Sequence, residues 1–190
     1  MRLPEGAEAG RAGFDCSHRG AGGVTGIAVT RLNHAVLFVR DLDRSSDFYQ
    51  KVFGFEEIAR EGGAMAFLRA SGSANHHDLG LMAVGPEARS QPGGSVGLYH
   101  LAWEVPTVED LAAAASVLSE LGALTGMSDH GATKSLYGRD PDGIEFEIMW
   151  LVPRDQWGQY ERRAVVMPLD IRKEVERFGG AVAPDQQGST

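Results

Sequence analysis

The chain has 190 residues, 43% of them hydrophobic and 23% charged, enough for one soluble domain or two small fused ones. Twenty-six acidic residues against eighteen basic ones leave a formal charge of -8, which argues against a phosphate-backbone partner. No apolar run approaches the length of a bilayer span, so neither nucleic acid nor membrane is the expected partner.

From Met1 to about residue 29 the sequence is rich in Gly, Ala and Arg and has no apolar period, so a disordered tail is expected. The stretch Met1 to Thr30 has no apolar h-region, so no signal peptide is expected. Cys16 is the only cysteine. No intrachain disulfide can form, a reducing cytoplasm is the simplest home, and an unpaired tail thiol is the expected role of Cys16. His18, in the same tail, is given no role.

Leu32 to Val39 (LNHAVLFV) carries apolar residues on both faces and predicts a buried strand. Asp41 and Asp43 offer N-caps, Phe48, Tyr49, Val52 and Phe53 recur at helical spacing, and Gly54 supplies a stop. Three shorter strands are expected at Phe55–Arg60, Met65–Ala70 and Asp78–Val84, punctuated by Gly62-Gly63 and Ser71-Gly72-Ser73. After a Gly- and Pro-rich loop (Gly85 to Gly97) the order returns. Leu98–Val105 predicts a strand, and Thr107 with Asp110 resembles a capping box with the shorter acid. Leu111, Ala114, Leu118 and Leu121 form one helical stripe ended by Gly122, before strands at Leu124–Ser128, Lys134–Arg139 and Ile144–Trp150.

The pattern is βαβββ twice, with a repeat of about 65 residues, and a unit that cannot enclose its own apolar face stacks against its copy. The expected fold is therefore α+β: two tandem βαβββ modules (30–85 and 97–152) forming a curved cup of two four-stranded mixed sheets. A C-terminal extension (153–190) adds a short helix from about Asp170 to Phe178, and its last ten residues are expected to fray.

The ionisable groups on these strands carry the chemistry. His34 and His100 fall at matching places in the repeat, and Glu147 sits in the apolar strand IEFEIMW. A lone buried carboxylate is costly unless it is paired, hydrogen-bonded or metal-bound. Two neutral nitrogens and one hard anion suit a divalent metal, in the 2-His-1-carboxylate manner of non-haem Fe(II) oxygenases. Core histidines with satisfied hydrogen bonds are the rival explanation, and the symmetry of the two positions weighs against it.

HAVLFVRDLDRSSDFYQKVFGF, YHLAWEV and RDPDGIEFEIMW together resemble the vicinal oxygen chelate superfamily, and within it the extradiol ring-cleaving dioxygenases. The resemblance runs from His34 to Trp150. It implies metal ligation by His34, His100 and Glu147, the last counted four residues after Gly143, with Glu145 as rival ligand or mouth-facing charge. Internal alignment sets Gly80 against Glu147, so the first half offers no fourth ligand, which favours an oxygenase over a glyoxalase. The resemblance further implies His77 as the acid–base residue. Strict strand alternation would put His76 on the face of Gly80, so His76 stays open as its alternative. His130 and Tyr137 are implied as groups reaching the substrate hydroxyls, although the spacing between them is shorter than in larger two-domain members.

The activity implied is ring cleavage of a catechol-type aromatic diol with O2, using Fe(II), or Mn(II) or another divalent metal, in a homodimer or higher homo-oligomer. Two other readings stay open: a glyoxalase-like lyase, isomerase or thiol transferase using the same ligands, and a non-enzymatic small-molecule-binding protein on the same cup.

Overall fold

The computed structural model describes Ile27 and residues 29–180, and every helix and strand it describes lies in the unit Asn33–Thr190. The expected disordered tail, with Cys16 and His18, falls almost wholly outside the described residues, as does the expected frayed end after Gly180. The fold is α+β, with two open mixed sheets. In chain order it runs β1 (Ala35–Val39), α1 (Leu42–Phe53), β2 (Glu56–Glu61), β3 (Met65–Arg69), β4 (Leu79–Ala83), β5 (Leu101–Glu104), α2 (Val108–Glu120), β6 (Leu124–Asp129), β7 (Thr133–Arg139) and β8 (Glu145–Leu151). After two 3-10 turns come β9 (Met167–Pro168) and α3 (Ile171–Phe178).

Capping chemistry sets the helix starts. The side chains of Asp41, Thr107 and Asp170 accept from the backbone N–H of Arg44, Asp110 and Lys173 respectively, each meeting one of the otherwise orphaned first-turn donors. Gly54 ends α1 in the left-handed region at φ 64°, a conformation that costs glycine no Cβ clash.

The first sheet has the order β1-β4-β3-β2 and the second β5-β8-β7-β6-β9. In each module the first and last strands pair in parallel and the remaining neighbours are antiparallel. Both modules also shift register at the same place, between Glu57 and Ala59 in β2 and between Leu124 and Gly126 in β6. The second sheet has five strands where four were expected, because Met167–Pro168 of the extension pairs with Ser128 and Asp129 at the end of β6. Two residues of extended chain carry too little pattern to be legible as a strand.

The first strand is also less buried than LNHAVLFV suggests. Leu37 and Val39 enter the core with Leu42 and Tyr49, while Val36 is 48% and Phe38 65% exposed on the opposite face. The apolar pattern there reflects an open sheet face, not burial on both sides.

The modules meet through their helix-covered sides. Phe53 contacts Trp103 and Phe146 at ring separations of 6.0 and 5.1 Å, Phe55 contacts Trp103 at 5.1 Å, and Phe48 contacts Phe146 at 5.9 Å. Such tilted and edge-on pairs add specific attraction to their buried area. The β7–β8 turn (RDPDG) reinforces this seam. Asp140 accepts from Tyr49 Oη (3.1 Å) and from the N–H groups of Asp142 and Ile144, while Asp142 accepts from Arg40, Arg44 and Ser45. Burial pushes the Asp140 carboxyl up and the Tyr49 phenol well up, the latter also because Asp140 lies beside it.

Candidate functional site

Each of the two matching histidines stands one residue ahead of its strand, His34 before β1 and His100 before β5. The parallel pairings then set Gly80 opposite Val36 and Glu147 opposite Ala102, each two residues beyond the histidine. Gly80 and Glu147 therefore occupy equivalent corners. A Cβ at Gly80 would come 3.2 Å from the Val36 side chain, so a larger residue there would press on that valine.

In the second module the His100 Nε2 and Glu147 Oε2 atoms are 2.9 Å apart, both on half-buried side chains. His100 Nδ1 is buried without a hydrogen-bond partner, and Glu145 Oε1 lies 4.0 Å from it. Glu145 thus approaches the far nitrogen of the ring rather than the one facing Glu147, at a separation beyond a hydrogen bond. It also stands 3.8 Å from Arg139, and contact with it raises the pKa of the exposed Tyr99 phenol.

Tyr137 lies directly across the β7–β8 ladder from Glu147, and its ring is 5.8 Å from that of His100. Partial burial first, and the Glu147 carboxylate second, raise its phenol above the ordinary tyrosine value. His130, in the β6–β7 loop, is joined to it through Nε2 and Tyr137 Oη at 2.9 Å. One open face thus collects His100, Glu147, Tyr137 and His130.

His34 lies with the other sheet. Its Nδ1 is 3.0 Å from Asn33 Oδ1, and its ring is 4.5 Å from that of His77. His77 also contacts Phe67 (5.0 Å) and His76, the latter with the two Nδ1 atoms 3.1 Å apart. Partial burial, then the neighbouring His34 and His76, lower the pKa of His77, so at neutral pH it is the uncharged imidazole that can take a proton. Of the two histidines left open by strand alternation, His77 is the one against His34. The segment before β4 is irregular, and that frees it from the alternation rule.

Among the described residues no three His, Cys, Asp or Glu side chains converge to hold a metal ion. The donor chemistry of His100 and Glu147 fits a divalent cation as a two-donor grip. His34 does not join them in a three-donor cluster among the described residues.

A cavity of about 990 Å³ adjoins both modules, lined by Val36, Phe38 and Val84 of the first and by Tyr99, Arg139 and Glu145 of the second, while His100, Glu147, Tyr137 and His130 are not among its lining residues. That volume suits a small organic ligand. Tyr99 and Arg139 both stand beside Glu145, a contact that the repeat gave no signal for.

A family model described as "Glyoxalase/Bleomycin resistance protein/Dioxygenase superfamily" matches residues 31–148. Over 154 residues the chain is 34% identical to "Catechol-2,3-dioxygenase" of Bacillus subtilis, covering 79% of this chain and 53% of that protein. Over 122 residues it is 35% identical to "Biphenyl-2,3-diol 1,2-dioxygenase 3" of Rhodococcus globerulus, covering 62% of each. The chain thus spans about half to three fifths of the length of these curated relatives. Among solved structures, a glyoxylase/bleomycin resistance protein/dioxygenase domain from Frankia sp. EAN1pec matches with a TM-score of 0.55 and 26% identity, over 66% of this chain and all of that one.

Proposed function

From a chain that belongs to the glyoxalase/bleomycin resistance protein/dioxygenase superfamily, we propose an extradiol ring-cleaving dioxygenase that acts on a catechol-type diol with O2 in the cytoplasm. The observation that carries this reading is the His100–Glu147 pair at 2.9 Å with the Tyr137–His130 pair beside it on one open face. A catechol-type diol offers two hydroxyls that a phenol–imidazole pair beside two metal donors can orient. His100 and Glu147, with His34, would hold Fe(II) or Mn(II). The ion would supply Lewis acidity at a hydroxyl and open positions for diol and O2.

The chain's own residues do the rest. Tyr137, with His130 bonded behind it, orients the diol by hydrogen bonding. Neutral His77 takes a hydroxyl proton and holds it at a ring nitrogen for later return. Arg139 and Tyr99 stand beside Glu145 at the edge of this face.

The same reading includes a homodimer in which His34 of one copy meets His100 and Glu147 of the other. Two features support it. Val36 and Phe38 lie exposed along β1, an edge strand, with His34 one residue ahead of it. Each open face also carries a donor set that the other lacks, and a second copy is a molecule certain to carry the complement.

The deciding experiment is anaerobic purification with metal analysis, followed by O2 uptake against catechol and 2,3-dihydroxybiphenyl. Divalent metal near one per chain and O2 uptake matched by ring-opened product are expected. Metal-dependent conversion of a hemithioacetal without O2 uptake would move the protein to the lyase reading. His77→Ala is expected to keep its metal and lose turnover about a hundredfold, the usual worth of a positioned acid–base group. Loss of the metal in that variant would make His77 a ligand.

A further inference from the structure

The C-terminal extension reaches into the candidate site at one atom. His130 Nδ1 lies 2.8 Å from the backbone carbonyl oxygen of Val165, and its Nε2 lies 2.9 Å from Tyr137 Oη. A carbonyl oxygen can only accept, so in the neutral ring Nδ1 carries the hydrogen and Nε2 presents its lone pair. The O–H in the second contact therefore belongs to tyrosine, and it donates to His130. Tyr137 then has its proton turned toward His130, which leaves its oxygen an acceptor for other groups.

We propose that the extension is a positioning element: through the Val165 carbonyl it selects the Nδ1–H tautomer of His130, and so makes Tyr137 an acceptor toward bound ligand. Resting on the dioxygenase reading, this specifies which form of substrate the site takes, namely one that still carries a hydroxyl hydrogen opposite Tyr137.

The loop that carries His130 is held for this task on several sides. Tyr160 of the extension covers Gly131, where any Cβ would run into its ring, and Gly131 has φ +79°, so the close approach and the backbone both call for glycine. β9 pairs with the residues just before His130, and Gly131 N–H donates to Asp129 Oδ1 at 2.7 Å. Lys134, 5% exposed at its side chain, is 2.6 Å from Asp129 and 3.4 Å from Glu174 of α3, which ties the far end of the loop to the extension as well.

The test is nitrogen NMR of the full chain carrying 15N-labelled histidine, with no metal or substrate added. The expected result is an Nδ1–H, bare-Nε2 signature for His130, opposite to the tautomer free histidine prefers. Tyr160→Phe keeps the ring over Gly131 and should leave that signature unchanged. Tyr160→Ala should release the loop, expose the Nδ1 proton to exchange with water and shift the ring toward the Nε2–H form. Tyr137→Phe, which keeps the fold's ring packing, should move only the Nε2 resonance, because that atom loses its donor. In turnover with catechol, Tyr160→Ala should raise KM about tenfold, the worth of one hydrogen bond, with a smaller change in kcat. An Nε2–H tautomer in the unaltered chain, or an unmoved His130 signature in folded Tyr160→Ala, would overturn the proposal. A chain that shows the expected tautomer but cleaves no diol leaves the positioning role standing and removes the dioxygenase reading.

Discussion

His34→Ala and Glu147→Ala, purified separately, are each expected to retain less than about a hundredth of the divalent metal held by the unaltered chain. Removing an orienting partner of a ligand already costs ten- to a hundredfold in metal affinity, and removing the ligand itself costs at least as much. Heterodimers of these two variants, isolated by two different tags, are expected to bind metal at about half the normal level, since a closed two-fold pairing leaves one site intact and one doubly broken. A site built within each chain would leave no intact site in that heterodimer. Metal content by mass spectrometry therefore separates the two arrangements without an activity assay. Undiminished metal in either single variant would dismiss that residue as a ligand.

Asp142→Ala carries the largest expected cost in stability. Its side chain is only 5% exposed, and it accepts from the Arg40 N–H at 3.1 Å, Arg40 Nη1 at 3.0 Å, Arg44 Nη2 at 2.7 Å and Ser45 Oγ at 3.2 Å. Alanine leaves the Arg40 backbone N–H and a partly buried guanidinium without their main acceptor. Arg44 is half-exposed, so water replaces its share and it adds little. Breaking a buried pair from one side costs about 3 kcal/mol or more, here lowered somewhat because Arg40 also donates to the Ala88 carbonyl and to Ser90. The expected loss is about 3 kcal/mol, a fall in Tm of roughly 6–12 °C for a chain of this size. Asp47→Ala, which removes the exposed Asp47–Lys51 pair within α1, should cost about 0.5 kcal/mol or less. Urea unfolding of both variants checks the contrast. Equal midpoints would mean that the RDPDG turn does not hold the modules together.

The repeat was legible because its signals are local. Asp41, Thr107 and Asp170 cap the helices they were expected to cap, and strands β2 to β4 and β6 to β8 fall within a residue or two of their apolar runs. The start of β5 was not legible: Leu98, Tyr99 and His100 look like strand but lie ahead of it, and Leu98 and Tyr99 are exposed. Apolar character there serves a cavity wall and an open face, and composition alone does not separate these from a core.

Sequence by itself determined the two modules, the matched histidines, the glycine standing where Glu147 has its equivalent, and the types of donor available. Those follow from periodicity, capping and chemical identity, which act over a few residues. Tertiary structure alone decided which donors share a face. His100 meets Glu147 because β5 lies parallel to β8, while His34 stands against His77 in the other module. It also decided that a carbonyl from the extension sets the hydrogen on His130, a contact spanning 35 residues that no local pattern records. Contacts at such separations depend on how whole layers pack, and the pattern within any one element does not encode that.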